Sequence, residues 1–385
     1  MRAKTELVSD IGYGIWRIYM KRILALLLTA GLMVSGLAGC SGFVSSNQTD
    51  ESITDSDESD QSDESSEYQF RKDLAEKTIG ISVSSLRGNY MKVFRTSLMN
   101  RMKKLGFKEQ NISVYENNGD LELELKMIDL LIDIGVDQLL ICPNDSADVP
   151  AITDKVVASG IPLIYFNYVP DEEERQRWMD NKWNVSCVGG DRTQVGKLQA
   201  TLVASIGMDQ LDMNKNGYVD YVLVEGPEDK PLSSLRRETF LAEMNEAGVP
   251  LKCLDDRHAD WNRQTAFEIV QEDLDAFGKD IEVVVCQNDA MALGAMLAIQ
   301  MADRIVSSDI YLAGVDCDLE AVQNIRQGTM TGSVFIDGST QAAAVITNIM
   351  NNIDGLKNGT ENYVDYVLVT AANAESVQGI LEHPV

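Results

Sequence analysis

Histidine is nearly absent: only His258 and His383 occur in 385 residues. That leaves no material for a His-rich zinc centre and little for a His-based hydrolase. Basic residues are also few, 33 Lys and Arg against 60 Asp and Glu, for a formal charge of −27. A field of that sign repels phosphate backbones and excludes general nucleic-acid binding. The six cysteines, at 40, 142, 187, 253, 286 and 317, form no Cys-x-x-Cys pair, so neither a zinc ribbon nor a disulfide framework is indicated. The last five mostly sit in or just after expected strands and read as small buried hydrophobes. No Gly-rich phosphate loop and no activated nucleophile is found, so the chain reads as non-enzymatic. What remains is an ordinary globular composition, 44% hydrophobic and 24% charged, and a length that suits two lobes.

Lys21 and Arg22 precede a short apolar run that ends in Leu37-Ala38-Gly39-Cys40. A basic start, a brief apolar stretch and small residues before the cut describe a secretory signal. The final four residues resemble a bacterial lipobox, in which Cys40 is lipidated and becomes the mature N-terminus. A membrane span is the alternative, but the run falls short of the roughly 20 apolar residues a span needs. Residues 1–39 are expected to be signal, shortened to 20–39 if translation starts at Met20, which opens a compact signal by itself. Residues 41–70 hold nine carboxylates and no Lys or Arg, mostly among Ser. Such a segment buries too little surface to offset its ordering entropy, so 40–77 is expected to be a disordered, self-repelling tether.

From residue 78, β-branched runs alternate with amphipathic stretches. Strands are expected at 79–84, 138–142, 161–166, 221–224, 281–286 and 310–315, and helices at 90–105, 191–206, 234–247 and 290–302. Continuous apolar strands separated by helices indicate parallel sheets covered on both faces. The fold class expected is α/β, with two doubly wound lobes. Ligands of such sheets gather at the carboxyl ends of the strands. The polar residues found there are Asn89 and Tyr90, Asn167, Gln287-Asn288-Asp289 and Asp316. Each Asn or Asp would serve equally as a helix cap; it is their occurrence in both halves that points to a cleft.

Residues 212–220, DMNKNGYVD, place oxygen side chains at Asp212, Asn214, Asn216 and Asp220, a turn glycine at Gly217 and a backbone carbonyl at Tyr218. This is the first part of an EF-hand-type calcium loop. The residue at the twelfth position is Leu223, inside an apolar strand, so the closing glutamate is missing and a true EF-hand is excluded.

With this loop the chain resembles the type I periplasmic binding proteins of the galactose/glucose-binding kind. The resemblance covers about 78–385 and rests on IGISVS…NYM, IPLIYFN, VGGD, DxNxNG, Trp261, IEVVVCQNDAMALGA, GVD and GSVFID in order. It implies that Glu282 supplies the missing carboxylate, so that Asp212, Asn214, Asn216, Tyr218, Asp220 and Glu282 hold Ca2+. It implies three hinge crossovers between an N-terminal lobe, 78–188 plus 338–368, and a C-terminal lobe, 189–337 plus 369–385. It also implies that Tyr90 and Trp261 sandwich a sugar ring, while Asn167, Arg236, Asn288 and Asp316 bind its hydroxyls.

The pattern departs from that family at five positions. Gly88 and Leu232 replace carboxylates, Ser84 a tyrosine, Lys230 a histidine and Ile336 an asparagine. Each lost hydrogen bond removes about 1–3 kcal/mol, which weakens the case for galactose or glucose. The shift toward positive charge at Gly88, Lys230 and Leu232 favours a sugar acid over a neutral sugar. The function implied is that of a lipid-anchored, monomeric solute-binding protein that brings a sugar or sugar acid to an ABC permease. A sensory protein presenting its ligand to a membrane receptor is the alternative. A transcriptional regulator of the same fold would need a basic DNA-binding segment where this chain has its signal.

Overall fold

The computed structural model describes residues 69–384, so the expectations for Met20, Cys40 and most of the acidic tether lie outside the described residues. The first sheet grows from β1 (Ile79–Val83), α1 (Asn89–Leu105), β2 (Ile112–Glu116), α2 (Leu121–Asp133), β3 (Gln138–Cys142), α3 (Val149–Ser159), β4 (Leu163–Phe166), α4 (Glu172–Asn181) and β5 (Val185–Gly189). β1, β3, β4 and β5 are buried at every position. They read as unbroken apolar runs because helices cover both faces of the sheet. The strands pair in parallel in the order β5-β4-β3-β1-β2, which puts the reversal of strand order between β1 and β3.

The second sheet repeats the scheme. It comprises α5 (Thr193–Ile206), the short α6 (Met208–Leu211), β6 (Val219–Glu225), α7 (Pro231–Glu246), β7 (Leu251–His258), α8 (Arg263–Phe277), β8 (Val283–Cys286), α9 (Asp289–Met301), β9 (Tyr311–Ala313), α10 (Leu319–Gln327) and β10 (Ser333–Phe335). Four of these strands pair in parallel as β7-β6-β8-β9, with the reversal between β6 and β8. β7 lies at the edge and is only partly covered. This explains why Cys253 is exposed while Cys142, Cys187, Cys286 and Cys317 are buried as expected.

The chain then crosses back. α11 (Gly338–Ile353) packs on α1, where Ser97 Oγ donates to Ser339 Oγ at 2.9 Å, and β11 (Glu361–Tyr363) joins β5 in parallel. β12 (Val367–Val369) returns antiparallel to β10, and α12 (Ala374–Glu382) closes on α10 through Val377 and Leu381 against Ala321, Val322 and Ile325. Each sheet carries an apolar core on either face. A small fifth cluster, Val195, Val315, Val334 and Tyr366 with Ile336 against it, lies where the crossings meet. The crossings there are tight: a Cβ on Gly190 would fall 2.1 Å from the Tyr366 ring. The result is two doubly wound lobes joined by three crossings, the α/β class expected from the alternation.

Some expected elements shift by one to three residues, and β9 shrinks from an expected 310–315 to its three paired residues. Beyond it the backbone turns to β10, with the N–H of Gly314 and Asp316 donating to the carbonyls of Gly332 and Val334 at 3.0 and 2.8 Å, and Asp316 and Cys317 then adopt positive φ, at 100° and 52°.

Candidate functional site

The carboxyl ends of both sheets open onto one cavity of 670 Å³ between the lobes. From β1 the chain runs through Gly88, at φ 93°, into α1, which sets Tyr90 at the wall. The Tyr90 ring stacks on Phe94 with centroids 5.8 Å apart, and its hydroxyl donates to Gln341 Oε1 at 2.9 Å. Past β4, Asn167 turns into the cavity at φ 54°; Trp261 and Asp316 follow from the other lobe at φ 60° and 100°. Left-handed backbone at non-glycine residues costs energy and concentrates where surroundings over-determine it, as in a ligand site. Asn288 caps α9, its Oδ1 accepting from the Met291 N–H at 2.9 Å. The capping role weighed for this residue is therefore real, and it coexists with a place in the cavity wall.

Arg236 is the buried cation of the site, 6% exposed. Its Nη1 donates to the Gln287 carbonyl, its guanidinium lies 5.5 Å from the Trp261 ring centroid, and its Nη2 stands 4.0 Å from Asp316 Oδ1. Its Nε has no hydrogen-bond partner. Burial pulls the guanidinium down from its ordinary value, and burial pushes the Asp316 carboxyl up to about 6 despite the nearby arginine. Gln287 and Asp289 are supports: Gln287 Oε1 accepts from the Gly226 N–H at 3.0 Å, and Asp289 accepts from Ser333 Oγ at 2.7 Å and from the Asp318 N–H at 2.8 Å. With no cation in contact, burial drives the Asp289 carboxyl well above the usual range.

All seven expected ligand residues line this cavity: Tyr90, Asn167, Lys230, Arg236, Trp261, Asn288 and Asp316. Tyr90 and Trp261 do not touch each other. Lys230 is exposed, and its charge acts on Asp145 and Asp148 of the other lobe. The positions of departure, Ser84, Gly88, Leu232 and Ile336, line it too. Sequence reasoning passed over Arg192, Asn144, Asp145 and Tyr366. The first three follow β5 and β3 directly, so the strand-end rule could have found them; Tyr366 sits in a crossing that carries no such signal. His258 ends β7 at the surface, with Nδ1 2.5 Å from the Gly226 carbonyl, outside the cavity lining.

The loop at 212–220 draws its expected ligands together around hydrogen bonds. Asp212 accepts from the N–H of Asn216 and Gly217, at 2.9 and 3.0 Å. Asn214 and Asn216 turn amide nitrogens toward Asp220 Oδ2, at 2.6 and 2.5 Å. Glu282, just before β8, accepts from the N–H of Met213, Asn214 and Asp220. The Lys252 ammonium lies 2.8 Å from Asp220 Oδ1. Burial works to raise the Asp220 carboxyl, but Lys252 and the two amides hold it below the usual range; burial leaves Glu282 raised. The donor set fits a hard cation in kind, since it is made of oxygen ligands with three carboxylates. Among the described residues, however, no three acidic, His or Cys side chains gather as a metal cluster, and Lys252 occupies one carboxylate.

Two parallel α/β lobes with a polar and aromatic cavity at their strand ends define a two-lobed solute-binding protein. Residues 79–357 match the periplasmic binding protein domain family, and the chain belongs to that family. It is 28% identical to the D-galactose/methyl-galactoside binding periplasmic protein of Haemophilus influenzae, over 74% of this chain and 84% of that one. It is 26% identical to the ribose import binding protein of Bacillus subtilis, over 67% and 76%. Among solved structures, a myo-inositol binding protein from Caulobacter superposes with a TM-score of 0.65 at 20% identity, over 80% of this chain and 97% of that one. The family is one of extracytoplasmic binding proteins, not enzymes. No helix among the described residues is long and apolar enough to cross a membrane.

Proposed function

We propose that this protein captures a monosaccharide or sugar-like solute outside the cytoplasm and delivers it to an ABC permease, held to the membrane by a lipid on Cys40. The observation that carries the reading is the pairing, in one interlobe cavity, of two aromatic rings from opposite lobes with amide, carboxylate and guanidinium groups. An aromatic face suits the apolar C–H face of a sugar ring, and the polar groups suit its hydroxyls. Tyr90, Asn167, Arg236, Trp261, Asn288 and Asp316 are the contacts, with Lys230 at the rim. The lobes are 78–188 plus 338–368 and 189–337 plus 369–385, and ligand closes them about the crossings. The names of the relatives, which bind galactosides and ribose, support the sugar class.

Ca2+ belongs to the same proposal. Asp212, Asn214, Asn216, Asp220 and Glu282 with the Tyr218 carbonyl would hold it, where it would tie the loop before β6 to the strand β8. Thermal-shift titration of the full chain against monosaccharides, sugar acids and polyols, with calcium or chelator, tests both parts. A true ligand at a hundredfold excess over its dissociation constant adds about 2.7 kcal/mol of stability. A flat response to every sugar and polyol would remove the sugar reading.

A further inference from the structure

We infer that the ligand carries a negative charge and that Arg192, rather than Lys230, selects it. The inference rests on the sugar-binding reading above and narrows it to acidic sugars. Arg192 stands just past β5, at the first crossing between the lobes, and lines the cavity. Its guanidinium lies 4.4 Å from the centroid of the Tyr168 ring, which holds it in place. Among the described residues it has no hydrogen bond to any acceptor and no carboxylate within ion-pair reach. A half-buried cation without a counter-ion is costly, and a planar guanidinium is shaped to take a carboxylate in two parallel hydrogen bonds.

The distribution of charge in the cavity sharpens this. Asp316 and Asp318 stand together on the wall built by β9 and α10, and the acid nearest Arg236 is Asp316 at 4.0 Å. Arg192 lies over the Tyr168 ring with no carboxylate within ion-pair reach, and Arg236 keeps a buried Nε with no acceptor. At the rim, Lys230 is exposed, so water solvates its ammonium and it has little need of a ligand's charge. The cavity therefore offers Asp316 and Asp318 as acceptors for hydroxyls and, on Tyr168, a guanidinium without an ion pair. A uronate or aldonate, with hydroxyls along its length and a carboxylate at one end, matches both.

The test is calorimetric titration of the full chain with D-galacturonate, D-gluconate, D-galactose and D-glucose, repeated with Arg192→Gln and Arg192→Lys. The expected result is that an acid binds at least about tenfold tighter than its neutral counterpart. Arg192→Gln should abolish that preference by weakening the acids far more than the neutral sugars, and Arg192→Lys should retain part of it. If Arg192→Gln does not fold, the wild-type ratio and the lysine variant decide. Neutral sugars bound as tightly as the acids, equal weakening of both classes by Arg192→Gln, or no binding of either acid at millimolar concentration would each overturn the inference. The first two leave the sugar-binding function standing, because a sugar has then bound.

Discussion

The indole of Trp261 rests directly on Gly226: a Cβ added to that glycine would fall 2.1 Å from the ring. Gly226 follows the buried strand β6, donates its N–H to Gln287 and accepts at its carbonyl from His258. The backbone at the end of a rigid strand thus forms a floor for the ring, and Arg236 lies over the same indole. Replacing Gly226 by Ala is expected to push the indole into the cavity and weaken ligand binding on the order of tenfold. Calorimetry with the ligand found in the screen, beside a melting curve, separates that loss from unfolding. An unchanged affinity would place the indole outside the binding surface.

The two aromatic residues should respond differently. Trp261→Ala removes a ring facing the cavity and is expected to raise the dissociation constant about a hundredfold. Tyr90 is also a core residue, stacked on Phe94, so Tyr90→Ala confounds binding with stability. Tyr90→Phe keeps the ring and loses only the bond to Gln341, and it should bind nearly as wild type. Strong loss in Tyr90→Phe would assign the hydroxyl, not the ring face, to the ligand.

The proposed calcium assignment at 212–220 yields a pair of opposite effects. Glu282 accepts three backbone N–H groups, so Glu282→Gln is expected to melt earlier with or without the ion, and calcium should no longer raise its melting temperature. Lys252→Met leaves the buried Asp220 without its cation. That variant should melt earlier in chelator, and calcium should then stabilise it more than it stabilises the wild type. Calcium increments equal to wild type in both variants would refute the assignment.

A pH effect follows from Glu124 on α2. Its carboxyl is buried, accepts from Ser82 Oγ at 3.1 Å and lies near Asn117 and Asp148; burial pushes it up to about 7. The folded state then holds a proton that the unfolded chain releases near pH 4.5. The associated stability is fully present below pH 4.5 and is lost as pH rises through 7. Glu124→Gln, neutral at every pH, should escape that loss and gain on the order of 2 kcal/mol over wild type near pH 8. Urea unfolding at pH 5 and pH 8 measures it, and an equal difference at both values would exclude a titrating Glu124.

Much of the fold was legible because burial on two faces forces a pattern onto the chain. β1, β3, β4 and β8 must be apolar at successive positions, and such runs separated by helices admit few arrangements other than parallel sheets. β2 and β7 escaped notice because they are only partly covered and their polar residues break the run. The loop at 212–220 was visible because its ligands are neighbours in sequence. Glu282 entered only through family resemblance, since no local rule links it to Asp220.

The sequence by itself determined which residues end the strands, and with them Asn167, Asn288 and Asp316, because the chain direction of a parallel sheet dictates where its polar ends lie. Only the tertiary structure decided what those residues face. Lys230 and Arg192 are both cations at helix starts, yet packing leaves one exposed at the rim and sets the other, half-buried, on Tyr168. Charge compensation depends on distances between segments, and those distances exist only once two sheets have closed around one cavity.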